Sequence, residues 1–308
     1  MGTVNTISVP AEKDESLGDL QHLLGSLSVA EFFADFWNRQ AFHMPGHPHK
    51  FRGLFDEAAF HRGLGKCEHL KVGYTNEQGW PAHRVIAPGE VLEMLQQGKT
   101  VCASSIDLGD AILKDFLKRF RTSFAALGRF LFNSYLSPDG AGFGLHLDHH
   151  PVFILQIEGR KRWWYSREPA LQRTLTNISF PDDRKVLKLP WVTVTRPPES
   201  SLCEVVLCPG DVLYLPKGSW HRAKAIGSSL ALTLAMETIS PMELVQAGLG
   251  PSLNTVELRD PLPGFRRESF EGEMPEELNE IFGTALHQLR SSLASLTPKD
   301  LYELWKRS

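Results

Sequence analysis

His146-Leu147-Asp148 is the stretch of this 308-residue chain whose residue types and spacing most directly suggest chemistry. Alternate residues on an extended backbone point to one side, so an imidazole and a carboxylate two apart can aim at a single point. The apolar run that follows, Val152–Ile157, reads as a strand. A third ligand has to come from elsewhere in the same sheet. His221 is the natural candidate, because it follows the strand-like run Asp211–Leu215 and the turn Lys217-Gly218-Ser219-Trp220. Two imidazoles and one carboxylate leave three positions of an octahedral ion open. That arrangement suits non-haem Fe(II), whose open positions take a bidentate cosubstrate and O2.

Other histidines and tryptophans compete for attention. His149 and His150 adjoin the motif, but their spacing is wrong for pairing with Asp148, and they read as rim residues. His43, His47 and His49 have no carboxylate or thiolate nearby in sequence and read as ordinary loop residues. Trp163, Trp164, Trp191 and Trp220 read as core or pocket walls rather than as platforms for nucleic-acid bases.

The elements that must position these residues fall into three blocks. Up to about residue 127 the pattern is mainly helical. Phe32, Phe33, Phe36 and Trp37 share one face of Ala30–Gln40. A loop at Met44–His49 precedes helices expected over Asp56–Leu64, Ile86–Gln97 and Ala111–Arg121. From Gly128 to about residue 240, short runs of β-branched and aromatic residues alternate with turn signals: Arg129–Leu136, Val152–Ile157, Arg162–Tyr165, Trp191–Thr195, Glu204–Leu207, Asp211–Leu215, Arg222–Ala225 and Ser229–Met236. Many closely spaced strands predict a sandwich or barrel rather than βαβ units. Helices return after Pro241. An apolar stripe runs Leu278, Ile281, Phe282, Ala285, Leu286, Leu289 and Leu293, and Thr297-Pro298 opens a last helix. The stripe must bury against something, and a homodimer through these C-terminal helices is one expectation.

Composition narrows the class. With 42% hydrophobic and 22% charged residues the chain is ordinary for a globular protein. A net charge of −3 argues against direct binding of nucleic acid through phosphates. No stretch has the length of a membrane-spanning helix, and the first residues lack the apolar centre of a secretory signal. Gly2 followed by Thr6 fits the loose myristoylation pattern and reads as a chance match. Cys67, Cys102, Cys203 and Cys208 form no CxxC pair and read as reduced thiols, so a cytoplasmic protein is expected.

Beyond these readings, the run FNSYLSPDGAGFGLHLDHHPVFILQIEGRKRWWYS resembles the core of the JmjC-type, cupin-fold 2-oxoglutarate oxygenases, in particular the ribosomal-oxygenase branch. CPGDVLYLPKGSWHRAKAIGSSLALTLAM resembles that branch's distal metal-binding segment. SVAEFFADFWNRQAFHMPG and the segment around Ser105-Ile106-Asp107 are more loosely similar to its N-terminal part. The resemblance implies a mostly β fold with flanking helices, a double-stranded β-helix (jelly roll). On it, 1–127 is an N-terminal helical region, 128–240 the core and 241–308 a C-terminal helical region. It further implies that His146, Asp148 and His221 ligate iron and that Lys161 binds the distal carboxylate of 2-oxoglutarate. Asn133 and Tyr135 would line the cosubstrate pocket, with Thr233 near the same carboxylate. A buried dicarboxylate needs a cation opposite its far end, and a strand lysine supplies that charge. The implied activity is Fe(II)-, 2-oxoglutarate- and O2-dependent hydroxylation of a side chain in a protein or peptide. The alternatives are a small-molecule substrate, a Zn or Mn cupin isomerase or hydrolase, and a silent reader. Two departures bear on the substrate: Pro151 stands where that branch carries an acidic residue, and the C-terminal region is short.

Overall fold

The computed structural model describes residues 19–123, 128–172, 174–253, 274 and 276–307. The Gly2 pattern lies outside them. The chain divides at Glu237/Thr238 into two compact units.

The first unit is a mostly antiparallel sheet with flanking helices. Its strands are β1 (Phe42–Met44), β2 (His69–Thr75), β3 (Pro81–Ile86), β4 (Val101–Ser104), β5 (Gly128–Ser137), β6 (His146–Leu147), β7 (Val152–Tyr165), β8 (Ile178–Ser179), β11 (Cys203–Leu207), β12 (Val212–Leu215) and β13 (His221–Thr238). The main path runs β1-β12-β7-β13-β5-β4-β2-β3; β11 joins β7, while β6 lies between β13 and β8. A separate hairpin pairs β9 (Val186–Leu189) with β10 (Val192–Thr195). Among the described residues no helix is long and apolar enough to cross a membrane.

Helices α1 (Leu20–Leu24), α2 (Val29–Glu31), α3 (Glu57–Gly63), α4 (Val91–Gln96) and α5 (Ala111–Ser123) flank this sheet. Leu20, Phe32, Phe60, Phe116 and Phe120 join Phe153, Leu155 and Tyr214 in the largest hydrophobic cluster. The helix expected over Ala30–Gln40 is shorter and irregular. Ser28 and Glu31 form a reciprocal cap on α2, after which Phe32–Phe36 widens into a π-turn.

The block before residue 128 is not purely helical, contrary to the sequence expectation. β1 to β4 belong to the same sheet as the later strands. Their pattern is hard to read because the alternation is mostly polar: in β2, Leu70 and Val72 are buried in the core while Lys71 and Gly73 line a cavity. Two pairs of expected strands are also continuous. Val152–Ile157 and Arg162–Tyr165 are the two halves of β7, and Arg222–Ala225 and Ser229–Met236 lie within β13.

What joins the halves of β7 is a bulge. Leu230 pairs with Glu158 and Ala231 with Gln156, leaving Ile157 unpaired. One extra residue reverses the side to which alternate side chains point. Val152 and Ile154 line the cavity before the bulge; Lys161 and Trp163 line it afterwards. Gln156 staples this bulge. Fully buried, it donates through Nε2 to the Glu158 carbonyl at 2.8 Å and to Ser229 Oγ at 2.9 Å. Gly159 follows at φ 64°, and a Cβ there would overlap the Ser228 carbonyl.

The second unit contains α6 (Pro241–Leu253), α7 (Glu276–Ser295) and α8 (Pro298–Arg307). Asp300 N–H donates to Thr297 Oγ1 at 3.2 Å, so Thr297 caps α8 with Pro298 as its first residue. On the apolar stripe Leu278 is buried, whereas Phe282, Leu286 and Leu293 are exposed.

Replacing Gln156 by leucine removes the staple and strands buried polar atoms. Gln156→Leu is expected to lose about 1–3 kcal/mol of stability, read as a lower urea midpoint at an unchanged slope.

Candidate metal centre and its cavity

His146 and His221 face each other across an antiparallel pair of strands, β6 and the start of β13. Their ring centroids are 4.1 Å apart. β6 is held on its other side as well: His146 pairs with Ser179, and Phe180 N–H donates to the Leu145 carbonyl at 2.8 Å. Asp148 lies just past β6, where Gly218 N–H holds its backbone carbonyl at 2.8 Å. The carboxylate Oδ2 is 3.6 Å from His221 Nε2. One candidate ligand atom from each of His146, Asp148 and His221 lies within 4.8 Å of the others, the only such cluster among the described residues.

The donors are prepared for a cation. His146 Nδ1 is 2.8 Å from the Gly144 carbonyl, and His221 Nδ1 is 3.0 Å from that of Ser219. Each contact favours the tautomer with its proton on Nδ1 and a lone pair on Nε2, the arrangement typical of metal-bound imidazole. Burial and the neighbouring His146 push His221 down to about 4, so its ring is neutral at neutral pH. Burial opposes ionisation of Asp148, but the surrounding imidazoles, His221 first, outweigh it and hold the carboxyl below its usual range. Two neutral imidazoles and one carboxylate on one side of an ion fit a divalent metal with open positions.

These three residues open onto a cavity of about 570 Å3. Asn133, Tyr135, Lys161 and Thr233 all line it, so the structure brings every sequence-predicted site residue to one cavity. Residues 111–244, which contain the whole set, match the family model of the JmjC domain. Over this segment, which is less than half of the chain, the sequence is similar to JmjC domains. The chain is 23% identical over 316 residues to the uncharacterized protein YxbC of Bacillus subtilis (strain 168), covering 92% of this chain and 90% of that protein. It is 28% identical over 253 residues to the Drosophila melanogaster bifunctional lysine-specific demethylase and histidyl-hydroxylase NO66, covering 74% of this chain; it spans 36% of the NO66 length. Among solved structures, the ribosomal oxygenase YcfD of Escherichia coli, in complex with cobalt and 2-oxoglutarate, superposes with a TM-score of 0.53. The match covers 89% of this chain and 68% of that one. At 18% identity that likeness is one of fold.

Within the matched segment, Lys161 is 3% exposed. Its ammonium donates to Ser137 Oγ at 2.9 Å and lies 5.7 Å from the centre of the Tyr135 ring. Burial pushes it down to about 8 from 10.5. Tyr135, half-buried with its hydroxyl turned away from water, is held well above its usual range by desolvation, with Cys102 and Asp148 adding to the effect. Asn133 Oδ1 accepts from the Ser105 N–H at 3.1 Å. That contact assigns the amide oxygen and turns the Nδ2 donor toward the Tyr135 hydroxyl, with which the side chain bonds.

The remaining histidines sort themselves out. His149 is exposed and lies 2.7 Å from Asn177 Oδ1, on the rim. His43 does have an acid beside it, Asp211 at 3.2 Å, supplied from 168 residues away and therefore invisible to local inspection. The pair fastens β1 to the turn before β12. Trp163 stacks on the His221 ring and lines the cavity, and Trp220 is buried. Trp191 is exposed, and Trp164 donates to Glu204 at the surface.

The sequence reading missed Ser137, Thr100, Cys102 and Phe143. Ser137 continues the alternation Asn133, Tyr135, Ser137 along β5, so its side was legible. Thr100 carries no local signal. Phe143 lines the cavity edge-on to Tyr135, in a notch left by Gly73.

A buried lysine with a depressed pKa destabilises the ligand-free protein below that pKa. The cost is fully present below pH 8 and fades as the pH rises toward 10.5, where the unfolded lysine also loses its proton. Lys161→Met is therefore expected to raise stability at pH 7, by up to about 3 kcal/mol. The gap between variant and parent should close above pH 10, measured by urea unfolding across the range.

Proposed function

We propose that this chain is an Fe(II)- and 2-oxoglutarate-dependent oxygenase that hydroxylates a side chain of a protein or peptide. The observation that carries the reading is the convergence of His146, Asp148 and His221 at the wall of a cavity that also holds a buried, sparsely bonded lysine. The names of the relatives support it, as does the strand arrangement, which we read as a double-stranded β-helix with 128–240 as its core. Four free cysteines fit a cytoplasmic setting.

His146, Asp148 and His221 would hold the iron and leave three positions open to 2-oxoglutarate and O2. When bound, this pair of cofactors supplies oxidative decarboxylation to succinate and CO2 and the insertion of one oxygen atom into a C–H bond. The chain's own contributions are positional. The backbone carbonyls of Gly144 and Ser219 fix the two imidazoles. Lys161 supplies a positive charge for the far carboxylate. Thr233 and the Asn133 amide offer hydrogen bonds from neighbouring strands. Trp163, Val152, Ile154 and Ala231 make an apolar wall that limits water around the reacting atoms.

Lys161 separates this reading from a Zn or Mn cupin isomerase or hydrolase, which has no use for it. Adding 2-oxoglutarate to the Fe(II) protein under anaerobic conditions should give a weak visible charge-transfer band. Air should then yield succinate. Asp148→Ala or His221→Ala should abolish both signals. Since the ammonium form of Lys161 is the binding form, kcat/KM for 2-oxoglutarate should be flat below pH 8 and fall about tenfold per unit above it. Stoichiometric zinc with no succinate from any preparation would overturn the reading.

A further inference from the structure

The end of the cavity around Lys161 is more elaborately built than holding one charge requires. Lys161 sits on β7 opposite Ala225 of β13, four residues along from His221, or roughly 13 Å at the rise of an extended strand. Its ammonium has three donors. Ser137 Oγ is the one acceptor recorded for it among the described residues, at 2.9 Å. Ser137 in turn accepts from Thr100 Oγ1 at 2.9 Å. All three side chains are buried: Lys161 3%, Ser137 0% and Thr100 4% exposed. Thr100 also lines the cavity; Ser137 stands behind its wall.

The geometry follows from the strands. Val101 of β4 pairs with Leu136 of β5, so Thr100 and Ser137 lie just beyond a fixed register. Lysine has a flexible four-carbon stem, and its ammonium has no preferred place without an anchor. One buried hydroxyl, itself held by a second, fixes where the charge sits while leaving two N–H groups unused. A fixed cation at a set distance from a metal centre measures length: a diacid chelating at one end meets the charge only if its carbon chain spans the gap.

We infer that Ser137, backed by Thr100, is a positioning residue for Lys161 and sets which length of 2-oxo diacid the cavity accepts. This rests on the oxygenase reading above and adds to it a residue pair and a selectivity. Neither hydroxyl need touch the reacting atoms. Loss of the anchor lets the ammonium wander, which weakens the five-carbon 2-oxo diacid and narrows its advantage over four- and six-carbon homologues.

The test uses the full chain with Fe(II), following succinate release from 2-oxoglutarate and inhibition by oxaloacetate and 2-oxoadipate. Ser137→Ala should raise KM for 2-oxoglutarate about tenfold, the scale of one hydrogen bond to a charged group, with kcat changed less than twofold. The ratio of inhibition constants to KM should fall toward one. Thr100→Val should act in the same direction more weakly, and Thr100→Ser should restore the parent values. These paired variants keep the question answerable if Ser137→Ala folds poorly. A merely structural role would lower kcat or stability without altering length preference. If the parent turns over 2-oxoglutarate but the variants show unchanged KM and unchanged length preference, the positioning role is refuted while the oxygenase reading stands. If the parent neither binds nor turns over 2-oxoglutarate, both fall together.

Discussion

The half-step that Ile157 inserts into β7 decides what the cavity can do. Before it, even-numbered residues face inward; after it, odd-numbered residues do. Strict alternation from Val152 and Ile154 would have sent Lys161 to the other side and turned Arg160 and Arg162 inward. The price of the bulge is a set of backbone groups that have lost their ladder partners, and Gln156 answers it from inside the core. Gly159 then permits the turn in backbone direction that no residue with a side chain would accept beside Ser228. A buried amide, a positive-φ glycine and an unpaired isoleucine thus act together to place one charge.

The metal-ligand side obeys a different constraint. There the sheet is regular, and two of the three candidate ligands come from strands that pair in register, with His146 directly across from His221. Regular pairing brings two imidazoles to contact distance without strain, and the carbonyls of Gly144 and Ser219 select their tautomers. Ser179 and Phe180 clamp β6 from its free side, so a two-residue strand is fixed along both edges. The excursion between β7 and β11 therefore supports the site as well as bordering its mouth: Asn177, Ser179 and Phe180 all line the cavity.

Much of this was legible in the sequence because the signals are local. The HxD spacing and the turn before His221 each involve fewer than ten residues, whereas Asn133, Tyr135, Lys161 and Thr233 were reached through the resemblance to the JmjC-type oxygenases. The core strands also announced themselves through β-branched and aromatic runs. What escaped notice was encoded at a distance. β2 and β3 carry lysine, histidine and arginine on the side that faces the cavity or solvent, so their alternation does not resemble that of a buried strand. The bulge is invisible because an unpaired Ile157 looks like any other apolar strand residue. Thr100 and Ser137 are 37 residues apart and meet only through the β4–β5 register. The partner of His43 is farther still.

The charges in the cavity explain why such an uncomfortable lysine is retained. Without ligands, Asp148 is ionised and Lys161 has lost most of the solvation that would favour its proton. A divalent ion on the Asp148 side and a doubly charged anion reaching toward Lys161 would bring the four charges into balance, each beside one of opposite sign. The protein alone is then destabilised at this place, and ligand binding relieves it. Stability given up in the empty domain becomes affinity and selectivity for a dianion that can touch both ends at once, which a monoanion of the same length cannot do.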